Sequence, residues 1–193
     1  MKHAASRDLY TYWNKLRGLR AAPERHEIDP GAIRGALGDT LILAYEPGAD
    51  AVFRLAGTRV CALFGHELKG SAFRPLWSER SWPELATLLD HAAAESLGFI
   101  AGVTGELADG TTVALELLIL PLMQRGAPDG RLIGVLAPAL PPTWLGIFPV
   151  RSLALGSWRH VGPEIEDSVV PRFLDLPPEP ARQIGFVVHR THP

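Results

Sequence analysis

Cysteine is nearly absent from this chain. Cys61 stands alone among 193 residues, so neither an internal disulfide nor a multi-thiolate metal site can form. Charge of one sign is scarce too: 19 Lys and Arg against 21 Asp and Glu leave a net charge of −2, which argues against a general nucleic-acid binder. Long apolar runs are missing. The longest, Val113 to Met123, carries Glu116 and is too short to cross a bilayer. No apolar stretch follows Met1-Lys2-His3-Ala4-Ala5-Ser6-Arg7-Asp8 either, so no signal peptide is read there. A reducing cytoplasm is the expected setting, with neither nucleic acid nor membrane as a partner.

The familiar catalytic signatures are lacking as well: no Gly-x-Ser-x-Gly elbow, phosphate-binding loop, His-Glu-x-x-His or strand-opened Gly-x-Gly-x-x-Gly occurs. The seven histidines (His3, His26, His66, His91, His160, His189 and His192) contain no i, i+4 pair. His189 and His192 lie three apart at the C-terminus and read as solvated. No metal site and no catalytic residue is assigned, and a cryptic enzyme is kept only as the contrasting class.

What is present suits a globular chain. Apolar residues make up 47 % and charged residues 21 %, which excludes wholesale disorder. A chain of this length buries roughly 70 % of its unfolded surface, enough for one domain plus extensions. Nineteen Gly and 17 Pro predict many turns and an irregular tail.

The periodicity orders the elements. Leu9, Tyr12, Trp13, Leu16 and Leu19 form one stripe of a helix over 7–20. Asp29-Pro30 starts a short second helix, with Ile33 and Leu37 inward and Gly38 as terminator. Period two then predicts strands at Thr40–Tyr45 and Ala51–Ala56, with Phe53 and Leu55 on one face and Arg54 on the other. A short helix covers Arg59–Phe64, and a single turn lies near Phe73–Trp77. Ser81-Trp82-Pro83-Glu84 reads as a capping box opening a helix that buries Leu85, Leu88, Leu89 and Ala92. Strands at Phe99–Leu107 and Thr111–Met123 flank the Asp109-Gly110 turn, and Arg131–Pro138 is the last. The expected fold is α+β: a five-stranded antiparallel sheet with helices inserted between strands two and three. Residues 1–38 would be flanking helices, 39–139 the domain, and 140–193 a Pro-rich extension. Within that extension, Trp144, Phe148 and Trp158 argue for partial docking.

This order resembles a PAS domain. Phe64-Gly65-His66-Glu67-Leu68-Lys69-Gly70 is similar to the aromatic-Gly-x-Glu-x-x-Gly that ends the third PAS element. Gly105-Glu106-Leu107-Ala108-Asp109-Gly110-Thr111 resembles the hairpin before the long PAS strand, and Gly130-Arg131-Leu132-Ile133-Gly134 the entry to the last strand. The resemblance covers about 39–139. Leu9-Tyr10-Thr11-Tyr12-Trp13-Asn14-Lys15-Leu16-Arg17-Gly18, with Pro23 and Arg25, resembles the lead-in of small stand-alone PAS proteins common in alphaproteobacteria. The resemblance implies a sensory or adaptor protein that works by binding a signalling partner, with a small ligand in its cavity gating that contact. Light-sensing members carry a reactive Cys in an Asn-Cys-Arg-Phe-Leu-Gln motif that is missing here, so Cys61 reads as a small core residue.

Four groups carry the candidate chemistry, each beside a plainer reading. Phe64, Phe73 and Trp77 would wall a cavity, with Arg74 as its fixed charge for a small acid; alternatively the aromatics fill the core and Arg74 faces water. His91 lies on the helix where haem-binding relatives place their axial ligand, so haem through His91 is the one cofactor considered. The competing reading is a half-buried histidine satisfied by backbone or water. Lys2, Arg7, Lys15, Arg17, Arg20 and Arg25 against Asp8 and Glu24 make the lead-in basic, for an acidic partner or simply as a solvated face. Finally, Leu118, Leu120 and Leu122 occupy the back of an antiparallel sheet, where a covered surface is expected. The stripe Leu9, Tyr12, Trp13, Leu16 and Leu19 is the natural cover, within the chain or, as favoured here, across a homodimer.

Overall fold

The computed structural model describes residues 1–46, 48–123, 130–140 and 147–162. Helix α1 (Ala4–Arg17) leads through three short 3-10 turns (Arg25–Glu27, Pro30–Ile33 and Leu37–Asp39) to β1 (Thr40–Tyr45) and β2 (Val52–Ala56). Then come α2 (Thr58–Phe64), a 3-10 turn at Arg74–Leu76, and α3 (Trp82–Ala94). Four strands follow: β3 (Gly98–Leu107), β4 (Thr112–Leu122), β5 (Gly130–Pro138) and β6 (Val150–Val161). All neighbours are antiparallel in the order β2-β1-β5-β4-β3-β6. The fold is α+β as expected, but the sheet has six strands rather than five.

The extra strand comes from the segment expected to be an irregular extension. β6 runs beside β3 from Leu107↔Val150 to Gly98↔Val161, with two register irregularities. Those irregularities, together with the exposed Arg151, Ala154, Gly156, Ser157 and Arg159, break the clean alternation that marks a strand in sequence. Trp158 docks as expected, whereas Phe148 is exposed. Trp144 and residues 163–193 lie outside the described residues.

Two features near the N-terminal strands also correct the sequence pattern. Leu43 pairs with Phe53 but Ile42 pairs with Leu55, so Arg54 is an extra residue in β2. The bulge turns Leu55 to the opposite face from Phe53, and Leu55 is 38 % exposed where Phe53 is fully buried. Gly57, after β2, fits where no other residue could: a Cβ there would lie 2.1 Å from the Leu37 carbonyl. Buried Asp39 accepts a two-pronged contact from Arg59 (2.7 and 2.6 Å), which ties α2 to the turn before β1.

β4 is apolar on both sides. Leu115, Leu117 and Ile119 join the core under α2 and α3, while Leu118, Leu120 and Leu122 join a second core on the back. Helix α1 closes that back face within the chain. Leu9 and Trp13 are fully buried there, Tyr12 and Leu16 pack partly, and Ile28, Ile33 and Ala36 from the linking turns complete the layer. The apolar set expected at a dimer contact is therefore assembled inside one chain. Leu19 departs from it: Gly18 takes a left-handed φ of 58° after Arg17, the helix ends, and Leu19 is fully exposed.

Two polar pins fix this helix on the sheet. At one end the buried Glu116 carboxylate of β4 accepts the amides of Lys2 (2.6 Å) and His3 (3.0 Å), just where α1 begins. At the other end the Trp13 indole N–H donates to the Pro121 carbonyl at 2.8 Å. An acidic group at a helix N-terminus also complements the helix dipole. Burial pushes the Glu116 carboxyl up, but the Lys2 amide, the Ser6 side chain, the His3 amide and the N-terminal charge outweigh it and leave it below its ordinary value.

Two outcomes follow. Trp13→Ala should cost about 3–5 kcal/mol of stability in denaturant unfolding, through the lost ring and the cavity left behind. Trp13→Phe, which mainly leaves the Pro121 carbonyl unpaired, should cost about 1–3 kcal/mol. A loss under about 1 kcal/mol for Trp13→Ala would show that α1 does not carry the back core. For pH, the folded Glu116 holds its proton less tightly than the unfolded chain does. Its contribution is therefore present above the unfolded value, near pH 4.3, and fades as pH falls through the lower folded value. Glu116→Gln should flatten that acid limb of a stability-versus-pH curve; an unchanged limb assigns acid sensitivity elsewhere.

Candidate functional site

The sequence between β2 and α3 does two jobs. Gly70–Phe73 lines the outer edge of β2, with Phe53 N donating to Ser71 O (3.0 Å) and Phe73 N to Ala51 O (2.7 Å). A few residues later Ser78 N donates to Leu153 O of β6 at 2.9 Å. One short segment thus occupies part of both sheet edges, where free backbone groups would otherwise invite pairing.

Inside that strap sit the expected aromatics. Phe73 is fully buried, Phe64 and Trp77 nearly so. Phe73 meets Phe53 edge-on at 5.4 Å and Trp77 edge-on at 5.5 Å, the favoured aromatic arrangement. The Trp77 indole N–H is buried with no hydrogen-bond partner among the described residues. Such a group costs about 1–3 kcal/mol until an acceptor reaches it.

Arg74 is not brought to these aromatics. Its guanidinium lies over the Trp82 ring at 5.6 Å and reaches toward Glu79 at 3.7 Å, at the exposed surface. This is the plainer of its two sequence readings.

His91 lies beside the inward stripe of α3, which buries Leu85, Leu88, Leu89 and Ala92 as expected. Its ring packs on His160 of β6, centroids 5.5 Å apart, and His160 in turn meets Trp158 at 5.1 Å. His91 Nδ1 is buried without a partner. His160 thus packs against the His91 ring, and Nδ1 is the ring atom left unsatisfied.

The sequence missed what holds β6 to α3. Ser81 forms no capping contact, and its backbone is already helical. Its hydroxyl instead accepts the Leu155 amide at 2.9 Å, while Glu84 accepts the Trp158 indole N–H at 2.7 Å. Both members of the apparent capping box are spent on the sixth strand. The spacing Trp158-x-His160, which puts two side chains on one face of a strand, was the available signal.

Cys61 is partly buried on α2 and contacts Ala56 O and Glu67. Burial, the largest influence, pushes its thiol up, away from a reactive thiolate. Tyr45 on β1 donates to Asp90 of α3 at 2.7 Å, and burial together with that carboxylate raises the phenol. Among the described residues no helix is long and apolar enough to cross a membrane.

Comparison with curated proteins gives no match. Among solved structures, the chain is similar to a light-oxygen-voltage domain studied with a flavin analogue: TM-score 0.43 and 18 % identity, covering 56 % of this chain and 82 % of that one. It is also similar to an RNA-binding light-oxygen-voltage receptor, of which it covers 33 %, with 56 % of this chain matched, TM-score 0.42 and 20 % identity. A third is the PAS domain of an HTR-like protein from Haloarcula marismortui, at TM-score 0.40 and 16 % identity over 56 % of this chain and 90 % of that one. A family model described as a PAS domain matches residues 1–137, from α1 through nearly all of β5. The strand order, the helices between β2 and β3, and a match over most of the length agree: the chain belongs to the PAS domain family, a signal-sensing fold.

Proposed function

We propose that this chain is a sensory or adaptor PAS protein that acts by binding a partner protein, and that a small ligand beside Trp77 gates that contact. The observation that carries the reading is the unpaired, buried indole N–H of Trp77 among Phe53, Phe64 and Phe73. A mostly apolar molecule with one acceptor oxygen, such as a small aromatic acid, would satisfy it. Trp77 belongs to the strap that touches both sheet edges, so a ligand there acts on β6 and on the extension beyond it. A second copy is the first partner to test; with Leu9 and Trp13 committed to their own sheet, a dimer would use other surfaces.

Benzoate, an aromatic ring with one carboxylate acceptor, serves as the probe. It should raise the melting temperature of the wild-type protein and of Arg74→Ala, but not of Trp77→Phe, because Trp77 offers the inward donor. Mass spectrometry of natively extracted protein should show a copurified molecule that Trp77→Phe loses. Stabilisation that persists in Trp77→Phe and disappears in Arg74→Ala would return the site to the arginine. Light scattering at tens of micromolar, about the range where weak dimers form, decides self-association: a dimer names the second copy as partner, a monomer leaves a different protein.

A further inference from the structure

The junction of α3 and β6 holds two imidazoles from remote parts of the chain, and no sequence motif joins them. We propose that His91 and His160 form a two-nitrogen seat for a divalent transition-metal ion of the zinc and copper class. The rings face each other at a centroid distance of 5.5 Å and an interplanar angle of 45°. Two imidazole nitrogens that share an ion at about 2.0–2.1 Å each place their rings at about this separation.

The individual nitrogens support the assignment. His91 Nδ1 is enclosed and has no hydrogen-bond partner. A ring nitrogen left without a partner in such a place is costly, and as the unprotonated tautomer it can bind a cation that removes that cost. His160 Nδ1 faces the Gly98 carbonyl at 3.4 Å. With the proton on Nδ1, that carbonyl orients the ring and leaves Nε2 as the free lone pair, the arrangement common behind metal-binding histidines. Both residues are only half-buried, so the pair lies at the rim of the core and not at its centre.

Among the described residues no third His, Cys, Asp or Glu completes a larger cluster. Water therefore fills the remaining positions, and the ion is exchangeable rather than structural. Two carboxylates of α3 are already engaged, Glu84 by Trp158 and Asp90 by Tyr45. Two imidazole nitrogens as the protein ligands favour copper and zinc over magnesium, which takes oxygen ligands. An ion held here would clip the sixth strand to α3, beside the Trp158–Glu84 bond.

The test uses the full chain with zinc, copper and magnesium chlorides, followed by calorimetric titration and thermal melting. Zinc and copper should bind and raise the melting temperature, and magnesium should not. His91→Gln and His160→Gln should each weaken zinc at least tenfold, which abolishes the melting shift. A double variant at the C-terminal histidines, His189→Gln with His192→Gln, should bind as wild type. Circular dichroism of each metal-free variant establishes that it folds; should His91→Gln fail, His160→Gln on the edge strand carries the comparison. Absence of a zinc shift in wild type overturns the proposal. So does a shift that survives both junction variants, or one removed by the C-terminal pair.

Discussion

A strand that is apolar on both faces must be covered twice, and β4 sets that requirement for the whole fold. Leu115, Leu117 and Ile119 need one layer and Leu118, Leu120 and Leu122 need another. Each such side chain is worth about 1.5–3 kcal/mol when withdrawn from water, so neither face can be left open at the usual margin of stability. Helices α2 and α3 take the first face. Helix α1 and the turns after it take the second, which is why the N-terminal segment is an integral layer here and not a loose leader. Glu116 is the one charge within this strand's buried stretch, and it is placed where α1 begins and needs an acceptor for its free amides. The exception to the apolar pattern is thus the residue that positions the cover.

The sheet edges impose the second constraint. β2 and β6 are the outer strands, and both are touched by the segment running from Gly70 to Ser81. The same segment carries Phe73 and Trp77 into the core. Interior, edge and strap are therefore mechanically one unit: a change in packing at Trp77 has a covalently short route to Leu153 and so to β6. The C-terminal side of β6 leads into the last part of the chain. The strand added in this way is tied to the helix layer by side-chain contacts from Ser81, Glu84 and His91.

Much of this was legible in the residues. Thr40–Tyr45 is a short, nearly continuous apolar run, and the observed strand has the same bounds with every residue buried. Asp109-Gly110 needs a positive φ that glycine accepts, and Gly110 shows 81° at that turn. Leu118, Leu120 and Leu122 announced a covered back face from one strand alone. What stayed hidden depends on long-range pairing. β6 is an edge strand with two irregularities, so its pattern is diluted by exposed polar positions and its identity rests on β3. Ser81 and Glu84 fit a capping box by spacing, yet a stronger set of partners was available 74 residues away. Local propensity lost to a tertiary contact that gives the same two acceptors donors from β6.

The candidate site shows the same division. The aromatics Phe64, Phe73 and Trp77 were readable because large apolar residues between turns must go inward. The side of the helix layer on which a long charged chain emerges is not encoded so simply. Arg74 opens a 3-10 turn, and its stem reaches Trp82 and Glu79 at the surface, where the guanidinium keeps its water. Had it faced inward, the buried charge would have required a permanent counter-ion, and none lies among Phe53, Phe64, Phe73 and Trp77. A neutral donor is the polar group that an apolar interior tolerates: an unpaired indole N–H costs about 1–3 kcal/mol, whereas an unpaired buried guanidinium costs far more. With Trp77 rather than Arg74 as the inward polar group, the aromatic cluster closes without burying a charge.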